Sequence, residues 1–213
     1  MKNNQTIRAE AREVLAGNWG PAIGTIAVYL IISVVTQNIP FIGFIVSLFI
    51  TGPLVLGLAI FFLNYSRKEE ANVNQLFDGF KNYGRSLGCY LLLVIYVLLW
   101  SLLLIIPGII AQISYSQVWF ILSEDDQIGP NDALKKSKEM MYGYKWKYFL
   151  LGLSFIGWII LGVLTCGIGL LWVLPYIQTA NAKFYEDLKA NYENNSDTVE
   201  TSGLDNNPEL ITE

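Results

Sequence analysis

Six polar but uncharged side chains at helical spacing within two apolar stretches of this 213-residue chain are its best candidates for chemistry. Gln112, Tyr115, Ser116 and Trp119 fall at helical spacing and share one face, and Gln178 and Asn181 do the same further on. Amides and hydroxyls inside a membrane have two uses. They hydrogen-bond between helices, at about 0.6 to 2 kcal/mol each, or they line a groove that takes a lipid headgroup or a small neutral solute. The candidate lining is Gln112, Tyr115, Ser116, Gln178 and Asn181, and from sequence both uses stay open.

Acid, base and metal chemistry find little to work with. The chain has no histidine, which removes the commonest general base, proton shuttle and metal ligand together. No charged residue lies within Pro21 to Leu63, Ser86 to Ser123 or Tyr148 to Ala182. Ionisable groups at depth are the usual mark of a proton relay or coupled-ion site. Cys89 and Cys166 each stand alone in apolar sequence and read as small buried apolar residues. Glu124, Asp125 and Asp126 read as a solvated helix end. The expectation is a protein that is not an enzyme, with no catalytic residue, cofactor or metal and no nucleic-acid partner.

The elements that carry these side chains follow from the segregation of charge. The three uncharged stretches are 43, 38 and 35 residues long. Each holds two helices of about 17 to 21 residues, the length that crosses about 30 Å of hydrocarbon. The predicted fold class is therefore all-α: a polytopic membrane protein of six transmembrane helices in three hairpins, with spans at about 21–37, 41–63, 86–105, 108–123, 148–164 and 167–184. The third hairpin is the shortest and leaves re-entry open. A 53% hydrophobic content and only 15% charged residues argue against an ordinary soluble domain.

Lys and Arg number three in residues 1–20, four in 64–85, five in 124–147 and two in 183–213, and the intervening turns have none. Basic residues in short loops are retained in the cytoplasm, so both termini and both long loops are expected there. Residues 1–20 carry Glu10 and Glu13 beside Arg8 and Arg12 and lack a small-residue cleavage pattern, so the first span is expected to persist.

An amphipathic helix is expected before each hairpin. Ile7, Ala11, Val14 and Leu15 share a face in the first; Val73, Leu76, Phe77 and Phe80 make a stripe in the second, capped by Asn72. Leu134, Ser137, Met141 and Tyr144 make a weaker stripe behind Pro130. With their flanking basic residues these helices are expected at the bilayer surface, against anionic lipid headgroups. Gly17, Gly79 and Gly143, at 62- and 64-residue intervals, mark a threefold recurrence of helix and hairpin. Residues 1–188 form the integral membrane domain, and residues 189–213, dominated by Asn, Asp, Glu, Ser and Thr, are expected to be a disordered acidic cytoplasmic tail.

Pro107-Gly108-Ile109-Ile110-Ala111, Tyr115-Ser116, Ala133-Leu134-Lys135-Lys136-Ser137 and Leu153-Ser154-Phe155-Ile156-Gly157-Trp158 together resemble domain-of-unknown-function family 975 over roughly residues 1 to 188. The resemblance implies an integral protein of the bacterial cytoplasmic (plasma) membrane and carries no activity with it.

Overall fold

The computed structural model describes residues 1–40, 43–103 and 105–204, and among these it is helical throughout, without strands. Residues 205–213 of the expected tail lie outside the described residues. The helices are α1 (Asn4–Leu15), α2 (Trp19–Gln37), α3 (Gly43–Ser66), a 3-10 helix (Val73–Phe80), α4 (Tyr83–Leu103), α5 (Ile105–Ser114), α6 (Val118–Glu124), α7 (Pro130–Met140), α8 (Lys145–Leu153), α9 (Ile156–Leu164) and α10 (Leu170–Leu204). Sequence neighbours pack in pairs, α2 on α3, α4 on α5 and α9 on α10.

Four segments are long and apolar enough to cross a membrane: Trp19–Gln37, Gly43–Ser66, Tyr83–Leu102 and Lys145–Leu164. The expected spans at 108–123 and 167–184 are not among them. The first is split into α5 and α6 by a turn over residues 115–117, and the second falls within the 35-residue α10, which runs from apolar Leu170 into polar sequence. The segment expected at 148–164 is likewise divided, between α8 and α9. Where a tail was expected from residue 189, α10 continues to Leu204. Its register is held by packing: Leu188 is fully buried, and the amino group of Met1 donates to Asn191 Oδ1 at 3.0 Å.

The three amphipathic segments all form, and their apolar faces meet protein. Ile7, Ala11 and Leu15 of α1 are buried against α10, α8 and α3. Ala133, Leu134, Ser137 and Met140 of α7 are buried against α4 and α6. The middle segment is a 3-10 helix, not the expected α-helix. Three residues per turn bring Leu76 and Gly79 inward onto α3 and leave Phe77 exposed, so the expected stripe is broken. Asn72 caps it as expected, accepting from the Asn74 amide.

Each of these segments therefore docks on the returning helix of the pair before it in the cycle: the 3-10 helix on α3, α7 beside α6, and α1 on α10. Each returning helix is irregular near that contact. Pro53 interrupts α3; lacking an amide hydrogen it cannot satisfy the Phe49 carbonyl, which instead accepts from Tyr83 Oη at 3.3 Å. In the second pair the Val118 amide turns back to the Tyr115 carbonyl, and the freed Ser114 carbonyl accepts from Ser137 Oγ of α7 at 2.8 Å. Pro175 interrupts α10, and Tyr176 Oη donates to the Arg8 carbonyl of α1 at 3.4 Å. Pro53, Ser114 and Pro175 stand 61 residues apart, as do Leu15, Leu76 and Ser137, all three fully buried.

Burial divides the molecule into a base and three apolar tips. Docking segments, the C-terminal half of α3, α6 and the 173–188 part of α10 supply most of the core. Ile31 to Phe49, Ile95 to Ile110 and Ile156 to Trp172 carry most of the exposed large apolar side chains.

Candidate functional site

The irregular returning helices converge on a central cavity of about 200 Å³. Val55, Leu58 and Ala59 of α3, Ser116, Trp119 and Phe120 beside and in α6, and Leu174, Gln178 and Asn181 of α10 supply its three walls, closed by Ile26 and Tyr29 of α2 and Tyr148 of α8. Ala59, Phe120 and Asn181 are 61 residues apart, so the same helical position faces the centre from each pair. A second chamber of about 350 Å³ shares Ser116, Trp119 and Tyr148 with the first and is lined further by Leu93, Gln112, Ile113 and Tyr115. The chambers are lined by amide, hydroxyl and indole groups and carry no charged side chain.

The five residues singled out in the sequence are thus distributed over two adjacent chambers. Ser116, Gln178 and Asn181 meet in the central one, while Gln112 and Tyr115 join Ser116 in the second. Ser116 Oγ donates to the Ile113 carbonyl at 2.8 Å and accepts from Gln117 Nε2 at 2.8 Å. Gln117 is fully buried and its Oε1 has no partner among the described residues. The side chains of Gln112, Tyr115, Gln178 and Asn181 make no hydrogen bond to another described residue. Tyr148 has no spacing partner, and its place at the edge of an apolar segment reads as an aromatic at the headgroup level; in the structure it borders both chambers.

A charged cluster joins the same three returning helices, at the C-terminal ends of α3 and α6 and at the middle of α10. Glu124 at the end of α6 pairs with Arg67 beyond α3 and with Lys189 of α10 at 2.7 Å, and accepts from Tyr185 Oη at 2.6 Å. Glu186 pairs with Arg67 at 3.3 Å and Lys183 at 2.9 Å and accepts from Ser66 Oγ at 3.1 Å. Only 15% of the Glu124 side chain is exposed, so the solvated helix end expected at 124–126 is corrected for this residue. Burial alone would raise its carboxyl, but the hydrogen bonds from Lys189, Tyr185 and Arg67 together hold it below the usual carboxylate range. Burial and the Glu124 carboxylate push the Tyr185 phenol up. Arg85 finishes α6 by donating to the carbonyls of Asp125 at 2.6 Å and Leu122 at 2.9 Å.

Two open grooves flank the base. Arg12, Trp19, Trp158, Thr165, Trp172 and Tyr176 line much of one, of about 480 Å³. Lys138 and Lys145 share the other, of about 300 Å³, with Trp100, Pro107, Ser114 and Tyr115. Full crossing by the second and third pairs would place Pro107 and Thr165 a bilayer away from those cations, yet each lines one groove with them. Along α10, its first residue Leu170 is only about 9 Å from Tyr176 at 1.5 Å per residue.

Cys89 is buried as expected, whereas Cys166 is exposed in the turn before α10, with φ of 55°. Among the described residues, no group of three or more His, Cys, Asp or Glu is placed to hold a metal ion.

The profile of the family described as "Protein of unknown function (DUF975)" matches residues 1–108 and 102–192. The chain belongs to this family. Its two matched stretches take in both chambers, the charged cluster and the grooves, and leave out the end of α10. No curated protein and no solved structure matches the chain.

Proposed function

We propose that this DUF975 protein is a non-enzymatic, multi-pass protein of the bacterial cytoplasmic membrane whose helical bundle binds a neutral, hydrogen-bonding group in the central cavity. One observation carries the reading: the three returning helices present equivalent positions to a chamber furnished with the unbonded amides of Gln178 and Asn181 and with no charge. Such groups recognise an ester, amide or hydroxyl and leave an ion unsolvated. Alanine at Ser116, Gln178 and Asn181 together should abolish retention of neutral lipids and solutes that co-purify with the wild-type protein. Unchanged retention would end the proposal.

In the membrane, all three pairs enter from the cytoplasmic side and return to it, so both termini are cytoplasmic. The first pair crosses, with helices of 19 and 24 residues. The second and third re-enter, because their tips share grooves with Lys138, Lys145 and Arg12. Alkaline phosphatase fused after Asn38 should be active, and after Gly108 or Gly167 inactive. Activity at all three sites would restore six crossings; activity within 64–85 would overturn the orientation.

A carrier or channel for a neutral or lipidic solute is the second reading, favoured by the adjacent second chamber, which shares Ser116, Trp119 and Tyr148 with the first and is lined by the exposed Gln112. Flux in proteoliposomes that survives the Gln112, Tyr115 and Ser116 triple alanine variant would exclude it.

A further inference from the structure

The groove of about 480 Å³ has a cationic rim and apolar walls, and the rim lacks a counterion. Arg8 and Arg12 lie one turn apart on α1, and both neighbour Tyr176. Neither guanidinium pairs with a carboxylate among the described residues, although Glu10 and Glu13 of the same helix both find ion partners, in Lys2 and Lys68. Arg8 Nε is buried with no acceptor. Below these groups the walls are Trp158, Leu161 and Trp172, each about half exposed, with the buried Val173 beside them.

Buried N–H groups of an arginine without an acceptor are costly, and planar guanidinium donors match phosphate oxygens two at a time. Apolar walls with tryptophans at the rim match an acyl chain entering from a headgroup layer. The other groove repeats the recipe: Lys138 and Lys145, also without carboxylate partners among the described residues, stand over Trp100, Pro107 and Ile110. Tyr115 and Tyr176, which line the two grooves, occupy positions 61 residues apart. A cation-rimmed apolar groove therefore occurs in two of the three pairs.

We infer that each groove seats one anionic phospholipid, its phosphate on Arg8 and Arg12 or on Lys138 and Lys145 and one acyl chain along the tryptophan-lined wall. The inference rests on the proposed membrane placement, with α1 and α7 at the cytoplasmic headgroups. It concerns sites separate from the central cavity. The occupant is a lipid and not free phosphate, because the apolar wall is the larger part of the site.

The test is native mass spectrometry of the full chain released from vesicles of phosphatidylcholine containing a minor fraction of phosphatidylglycerol. Wild type should retain two phosphatidylglycerol molecules. R8Q/R12Q should retain one, R8Q/R12Q/K138Q/K145Q none, each lost site being weakened about tenfold or more. Leu161→Trp leaves the charges and fills the exposed wall, so it too should retain one. Excess inorganic phosphate should displace neither lipid. Retention of two by R8Q/R12Q, or displacement by inorganic phosphate, overturns the inference. Carbonate extraction of the same vesicles separates this failure from that of the membrane reading, which alone predicts that the quadruple variant stays in the membrane. Unfolding temperatures near wild type keep the loss attributable to the site.

Discussion

The base and the tips of this protein are built by opposite rules. In the base, helices approach until backbones touch: a Cβ added at Gly79 would overlap the Pro53 carbonyl, and one added at Gly57 would overlap the Leu76 carbonyl. In the tips, side chains such as Leu102 and Leu164 are 82% and 74% exposed, a Cβ added at Gly157 would meet no atom within 4 Å, and close approach is confined to the two arms of one pair, as at Gly43 on Thr36 and Gly108 on Ser101. The base is held by specific contact, so it tolerates little change of shape. In the proposed membrane placement the outer faces of the tips need only remain apolar, because fluid lipid moulds to any such surface.

The largest expected effect breaks that contrast most directly. Gly79→Ala should destabilise the protein by about 3 kcal/mol or more, because the 3-10 helix cannot withdraw from α3 without opening the core at Leu76 and Phe61. Gly157→Ala in α9 should be neutral or stabilise by up to about 1 kcal/mol through helix propensity. Thermal unfolding in one detergent compares the two. Equal losses would mean that the tips also pack against protein.

Next comes the charged cluster that ties the base together. Glu124→Gln leaves Arg67 and Lys189 without their shared partner, and a loss of about 2 kcal/mol is expected, discounted because both cations are 32% exposed. The same carboxylate sets a pH dependence. Its folded value lies below its unfolded one, so its contribution is complete above the ordinary carboxylate pKa of about 4.3 and is lost as pH falls through the lower folded value. Wild type should therefore lose stability on acidification below about pH 4.3, and Glu124→Gln should show a shallower loss. Parallel acid profiles for the two proteins would remove Glu124 from the account.

How much of this was legible in the sequence differs between the two regions as well. Apolar, uncharged runs locate the tips well, since exposure to lipid requires nothing beyond composition; α2 and α3 begin and end within a few residues of expectation. The docking faces of α1 and α7 were also readable, because Ile7, Ala11, Leu15 and Leu134, Ser137 keep helical period. What each face would meet was not. Amphipathicity is the same against lipid as against α10, and only tertiary placement distinguishes them. The middle segment failed for a related reason: close approach at Gly57 and Gly79 favours the narrower 3-10 helix, overriding the α-helical stripe of Val73, Phe77 and Phe80. The polar lining was found from helical spacing on two helices, whereas Tyr148 had no such spacing. Glu124 looked solvated because its partners Arg67 and Lys189 are 57 and 65 residues away along the chain.

A smaller effect sharpens the boundary between the regions. Ser137 Oγ, fully buried, supplies the hydrogen bond that the Ser114 carbonyl loses where α5 gives way to α6. Ser137→Ala should cost about 1 kcal/mol, and Ser137→Val more, because the carbonyl is then both unpaired and crowded. Hydrogen exchange at the amides of residues 115–118 should quicken in Ser137→Ala while those of α9 keep their wild-type rates. Unchanged exchange at 115–118 would mean that the turn is held by the chain itself and that α7 merely covers it.

The smallest effect on folding falls at the tips, and it separates stability from membrane affinity. Ile160→Ser and Leu102→Ser replace side chains that are 55% and 82% exposed, so little protein contact is lost and unfolding in detergent should shift by less than about 0.5 kcal/mol. Insertion should weaken by considerably more, since a half-exposed leucine or isoleucine carries about 1.5 to 3 kcal/mol of transfer free energy when fully buried in apolar surroundings. Partition between detergent micelles and added vesicles measures that difference directly. A tip substitution that lowers the unfolding temperature as much as Ser137→Ala would place another part of the chain, or a second copy of it, against the tip. A substitution that leaves both quantities unchanged would remove that tip from the bilayer. Two measurements on one variant thus read the two rules independently: the first reports whether protein touches the side chain, the second whether lipid does.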